Sequence, residues 1–414
     1  MEITVFQPLK GIRVIDTSQV LAGPYASYQL ALMGAEVIKI EVPGVGDWTR
    51  KGGQIAELGA AGMGLSYLVQ NGAKRSIALD IKTPEGRDLV RRLVAEADVF
   101  IENMRPGTMD RNGLGHAALS EVRPGLVYCS ISAFGQDGPY GPRGAYDHVI
   151  QGMCGIMGTT GTPESGPTKV GAPYIDYATG LNAAYAITAA LHQTRATGET
   201  VHLDVAMLDT AMTLMASLLT SHLSAGWEPE PSGNEAWSRS PTSGCFQTSD
   251  GLLMLAANNA RQVIRLLDVL GLDDLATRAR ADPIAVRPEV EALRPQLDAI
   301  FLTRPAREWE ELLNTAGVPA GRVRRLSEML AEDHAAARRF TVPMEAMPGR
   351  TVQVPTAGFK ANGAVMGPAG PAPRLGQDTR AILAELGLDT QQIEGLLASG
   401  VVGAAPESEA AQAG

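Results

Sequence analysis

GIRVIDTSQVLAGPYASYQLALMGAEVIKIE, residues 11–41, is the stretch whose reading decides the fold. Ile12–Asp16 (IRVID) is a short apolar run of strand length and reads as a buried strand. Pro24 suits a first helical position, Tyr25–Met33 follows with helical spacing, and Gly34 is a natural stop. Glu36–Glu41 (EVIKIE) alternates and reads as a second strand. Strand, helix and strand within about thirty residues make a βαβ unit.

The pattern recurs. Ser76–Asp80 reads as a strand, and Thr83-Pro84-Glu85 opens a helix to about Ala97. There Thr83 caps, Pro84 takes the first position, and Glu85 faces the positive helix end. Val99–Glu102, Leu126–Ile131 and Val201–Val205 are further strands, and Tyr177–Arg195 and Met207–Leu223 further helices. Such alternation predicts an α/β fold with a mostly parallel sheet. Residues 227–245 turn Pro-, Ser- and Gly-rich and read as linker and loop before a smaller α/β unit over 246–325. A helix is expected near Thr379–Leu386. The tail from about Ala404 is small and polar and is expected to be disordered.

The 414 residues allow two domains, and the 45% hydrophobic content allows a large core. A net charge of −10 speaks against a nucleic-acid partner. Three cysteines, Cys129, Cys154 and Cys245, fit no metal spacing and point to a reduced, cytoplasmic setting. The first ten residues carry no signal-peptide pattern, and no run of 18 apolar residues suggests a membrane span. The loop Thr17–Gly23 (TSQVLAG) lacks the glycine spacing of a dinucleotide site, and neither a Walker A sequence nor a nucleophile elbow is present. Gly158–Gly166 matches no phosphate loop and reads as a mobile loop.

Three stretches resemble the class III CoA-transferases, the family that includes formyl-CoA transferase: residues 11–50, residues 71–89 continuing into 101–115 (IENMRPGTMDRNGLG), and residues 172–209 (APYIDYATGLNAAYAITAALHQTRATGETVHLDVAMLD). The resemblance implies a large Rossmann-like domain over 1–225, a small domain with linkers over 226–325, a return to the large domain over 326–403, and a disordered tail over 404–414. It also implies ring-shaped chains interlocked as a homodimer. The substrates would be an acyl-CoA thioester and a small carboxylic acid, with no tightly bound cofactor and no metal.

The family's nucleophile falls on Asp176, just before the helix expected from Tyr177. An aspartate there reads equally as a plain N-cap. The helix end is expected to keep its carboxylate ionised and to aim free N–H groups at the reaction centre. Matched residue by residue, the resemblance implies that Lys82, Asn103, Met104, Arg105 and Arg111 hold CoA. Leu21 and Ala22 would stand beside the thiol end, and Gly144, Ala145, Tyr146 and Asp147 along the pantetheine path. Lys82 and Arg111 read equally as solvated surface charges. Lys74 and Arg75 are functional or structural, and Gly180 is expected to permit close packing.

Departures from formyl-CoA transferase are Leu21 in place of a glutamine, Val42 and Gly144 in place of basic residues, and Asn234–Gly244 in place of a tetraglycine loop. They argue against formate and oxalate and for a bulkier or less polar acid. Two rivals remain. The racemase branch of the same fold has histidine where this chain has Tyr146, a poor base at neutral pH, and His148 lies two positions on. A catalytically dead acyl-CoA-binding protein is the other.

Overall fold

Val14 and Ile15 alternate across a single strand and belong to different apolar layers. That alternation is the architecture in miniature, because successive side chains of a strand face opposite sides. The computed structural model describes residues 6–236 and 239–406. It divides into two compact units. The larger takes the described residues up to Cys154, then Val170–Ala225, then those from Arg339; the smaller takes Gly155–Lys169 and Gly226–Arg338. The smaller unit therefore extends past 325, and it includes the 155–169 segment that reads locally as a loop.

In the larger unit the chain runs β1 (Arg13–Asp16), α1 (Ala22–Leu32), β2 (Glu36–Glu41), β3 (Arg75–Leu79), α2 (Pro84–Ala95), β4 (Val99–Glu102), β5 (Val127–Ser132), α3 (Asp147–Met153), α4 (Tyr174–Thr197), β6 (Val201–Ala206), α5 (Met207–Leu214) and α6 (Ala216–Ala225). The sheet order is β3-β2-β1-β4-β5-β6, all parallel, and a short strand Val402–Gly403 adds antiparallel to β3. This is a doubly wound order, with its reversal between β1 and β4. One face carries Val14, Val37, Val99 and Val127 against Ala26 and Leu30 of α1 and Ala183 and Ile187 of α4. The other carries Ile15, Ile38, Ile77 and Phe100 against α2 and the C-terminal Ile382, Leu383 and Ile393. Burying both faces of a parallel sheet is the usual outcome of such crossovers.

Local chemistry explains the element ends. Thr83 accepts from the Gly86 N–H at 3.0 Å, with Pro84 at the first helical position. Gly198 ends α4 at φ +74°, where a side chain would be strained. Gly180 lets α1 and α4 meet, since a Cβ there would lie 2.8 Å from the Ala22 carbonyl oxygen. Two expectations need correction. Helix α4 starts at Tyr174, so Asp176 sits inside the first turn and Pro173 takes the cap position. The single helix expected over Met207–Leu223 is two, interrupted at Met215.

The smaller unit has an antiparallel sheet β7 (Ser243–Gln247), β8 (Leu252–Ala256), β9 (Ala320–Arg322). Its own core includes Phe246, Leu253, Leu297, Phe301 and Trp309. Part of the presumed linker, from Ser243, is therefore strand. Most of the tail expected to be disordered, residues 407–414, lies outside the described residues, as do two positions of the 234–244 loop. Among the described residues no helix is long and apolar enough to cross a membrane.

Candidate active site

Beyond the C-terminal ends of the strands the larger unit holds a cavity of about 410 Å³. Val20, Leu21 and Ala22 reach it after β1, Asn103 to Pro106 after β4, Ser132 and Ala133 at the end of β5, and Met207 after β6. The cavity thus lies where the strand order reverses, the crevice in which open α/β sheets bind ligands. Asp176 and Arg143 to Tyr146 complete the wall together with Val149.

Of the residues singled out from sequence, the cavity brings together Leu21, Ala22, Asn103, Met104, Arg105, Gly144, Ala145, Tyr146 and Asp176. Lys82, Arg111 and Asp147 do not line it. The Lys82 N–H donates to Asp80 in the turn after β3. Arg111 is exposed, and its guanidinium donates to the Thr108 hydroxyl within its own short helix. Asp147 is buried in the first turn of α3.

What Asp147 does was invisible to a local reading. Its Oδ2 accepts from the N–H groups of Ile175 at 2.6 Å and Asp176 at 3.2 Å. It caps α4 from another helix, and Gln151 supports it by donating to its Oδ1 at 2.5 Å. Two of the helix-end N–H groups expected to face the reaction centre are therefore occupied. The expected ionisation also meets opposition: burial, then the neighbouring Asp147 charge, push the Asp176 carboxyl up to about 7. N–H groups that remain open belong to α1, where those of Leu21 and Ala22 have no acceptor among the described residues.

Asn103 combines two tasks. Its side chain accepts from the Gln19 N–H at 2.9 Å and donates to the Gln19 carbonyl at 2.7 Å, gripping the loop after β1 while facing the cavity. Arg105 and Arg143 have no carboxylate partner among the described residues; Arg143 stacks on the Tyr140 ring at 4.1 Å. Lys74 and Arg75 have structural settings. Lys74 is buried 3.1 Å from Asp16, and Arg75 pairs with Glu36 and Glu385. Arg143, Val149, Ser132, Ala133 and Met207 were not singled out from sequence. The rule that sites gather just past strand ends would have found Ser132, Ala133 and Met207. No histidine lines the cavity among the described residues, and His148 instead stacks on Tyr146 with ring centroids 6.4 Å apart. No cluster able to hold a metal ion occurs among the described residues.

The sequence profile of CoA-transferase family III matches residues 9–379. The chain belongs to that family. As a class III CoA-transferase it uses CoA thioesters as substrates. It is 39% identical to the succinate–glutarate CoA-transferase of Agrobacterium fabrum, over 92% of this chain and 96% of that one. It is 34% identical to the succinyl-CoA:glutarate CoA-transferase of Homo sapiens, over 96% and 90%. The crystal structure of a CAIB/BAIF family protein from Brucella suis superposes with a TM-score of 0.76 at 33% identity, covering 92% of this CoA-transferase and 99% of that chain.

Proposed function

We propose that this CoA-transferase moves CoA from an acyl-CoA to a short dicarboxylic acid through covalent intermediates on Asp176. The Asp176 carboxylate attacks the donor thioester carbonyl, the C–S bond breaks, and CoA leaves as thiolate. The thiolate then attacks the aspartyl carbonyl of the mixed anhydride, releasing the donor acid and leaving an aspartyl-CoA thioester. The acceptor carboxylate expels CoA thiolate from that thioester to form a second anhydride. Thiolate attack on its acyl carbonyl releases the new acyl-CoA and restores Asp176. Dividing one exchange into steps between activated acyl groups is the general gain of covalent catalysis.

The observation that carries this reading is the position of Asp176 on a cavity at the switch point of the sheet, which is also lined by Leu21 and Ala22, whose N–H groups have no acceptor among the described residues. Those donors suit an oxyanion formed at the thioester carbonyl. Arg105 and Arg143, lacking carboxylate partners, suit a second carboxylate or a phosphate. The names of the relatives, built on succinate and glutarate, favour the dicarboxylate. Lys82 and Arg111 stand outside the cavity and would meet the phosphates where CoA emerges. A homodimer is supported by the exposed apolar side chains of Leu181 and Tyr185 on α4 and Leu223 on α6, and a cytoplasmic setting by three free cysteines.

Trapping tests the reading. Succinyl-CoA without acceptor should leave an Asp176 adduct that hydroxylamine converts to a hydroxamate, read by peptide mass spectrometry. An unmodified Asp176 peptide alongside hydrogen exchange at the α-carbon of a 2-methylacyl-CoA would replace the reading with racemisation. Binding with neither reaction would leave an inactive binder.

A further inference from the structure

Val20, at the rim of the cavity, adopts φ +73°. A β-branched residue takes that left-handed conformation only where its surroundings impose it. Here two buried groups hold its peptide from both sides. The Val20 N–H donates to the Asp47 carboxylate at 3.2 Å, and its carbonyl accepts from the Gln70 side-chain amide. Asp47 is itself fixed: it pairs with Lys39 Nζ at 3.3 Å, both side chains fully buried, and its own N–H donates to Glu41 at 3.0 Å. Lys39 reaches the same loop directly, donating to the Ser18 carbonyl at 2.7 Å. The next two residues are Leu21 and Ala22, whose open N–H groups begin α1.

We propose that the buried Lys39–Asp47 pair, with Gln70, is a positioning device that holds Val20 left-handed and so fixes Leu21 and Ala22 against the cavity. A buried ion pair is poor value for stability, since apolar residues of similar size often serve as well. Its geometry is what an apolar pair could not supply, because neither Met nor Leu can accept the Val20 N–H. What the fixed loop serves rests on the transferase reading; that the pair fixes it does not.

Replacing the pair as Lys39→Met/Asp47→Leu removes the grip without stranding a charge. With succinyl-CoA and glutarate, kcat should fall at least about tenfold, because small misplacements at a reacting centre are costly, while KM for succinyl-CoA stays within about threefold. Adding Val20→Gly, which reaches positive φ freely, should recover at least about threefold of kcat. Amide hydrogen exchange at Gln19 and Tyr25, whose N–H groups donate to Asn103 Oδ1 and to the Leu21 carbonyl, should quicken at least about tenfold in the double variant, a readout independent of turnover. A kcat within twofold of wild type, no recovery by glycine, or unchanged exchange each overturns the proposal. If the double variant does not melt cooperatively, Gln70→Met with and without Val20→Gly decides by the same three criteria. A wild-type chain with no transfer and no adduct would instead sink the transferase reading, leaving exchange to judge the loop.

Discussion

Asp16 is fully buried in the larger unit and Asp176 half-buried on its cavity, yet one carboxyl sits at about 2 and the other at about 7. Burial raises both. At Asp16 the charges of Lys74 and Lys39, with hydrogen bonds from Ser18 and Ser27, overcome burial and pull the group down. At Asp176 burial goes uncompensated, and the neighbouring charge that acts on it, Asp147, has the same sign. One environment makes a permanent anion that anchors a loop. The other makes a carboxyl poised between its two states at neutral pH. Under the proposed transfer mechanism, this separation matches a structural task for Asp16 and a chemical one for Asp176.

The sharpest way to break this contrast is Asp176→Asn. Transfer should fall by about a thousandfold or more, the usual scale for loss of a covalent nucleophile. The same variant should melt higher than wild type near pH 7. The sign follows from linkage. Asp176 is held above its ordinary value, so its share of stability is complete below about 4 and drains away as pH rises through about 7. The gain from asparagine should grow across that window and then level off. Full residual transfer, or a gain largest in acid, would contradict the assignment.

Lys74→Met attacks the other member. It removes the cation 3.1 Å from Asp16 in a fully buried site and leaves Lys39 alone to offset that charge, and loss of one partner of such a pair costs about 3–5 kcal/mol. Denaturant unfolding should report that loss. Asp16 itself lies below its ordinary value, so its contribution holds above about 4 and is lost as pH falls toward about 2. In the variant this acid-sensitive part should shrink.

A milder change sharpens the comparison. Asp147→Asn keeps an acceptor for the Ile175 N–H but deletes the like charge beside Asp176. The rising limb of kcat/KM against pH, expected near 7 in the wild type, should move to lower pH. At pH 6 the variant should therefore gain on the wild type by a few-fold. A limb that stays in place would mean that burial alone sets Asp176. The smallest effect is expected from Lys82→Ala, outside the cavity. KM for succinyl-CoA should rise no more than about fivefold, and the rise should vanish at about 0.5 M salt if the contact is screened.

Much of this was legible along the chain because it is local. The apolar runs at 12–16, 36–41 and 99–102 announce their strands, and Thr83-Pro84 announces its helix. The position of Asp176 near a helix start was legible to within one turn; Tyr174 and Ile175 have no strong helical preference, so the true start was not. Asp147 as a cap for α4 was out of reach, because its partners are 28 and 29 residues away and its side chain arrives from another helix. Val20 was equally silent, since nothing in its immediate neighbours hints at a left-handed turn. The Val402–Gly403 strand is two residues long, too short for any periodicity.

That short strand bears on synthesis as well as architecture. β3 stays an open edge until its antiparallel neighbour and the nearby Asp378 arrive, and Asp378 bonds the Ser76 N–H across 302 residues. At about 5–20 residues per second a ribosome needs roughly 15 s to a minute to cover that distance. Through this interval Ile77 and Leu79 lack part of their apolar cover and β3 presents unpaired backbone to other nascent chains. This edge thus passes from a hazard to a closed one only after residues 378–403 have been made.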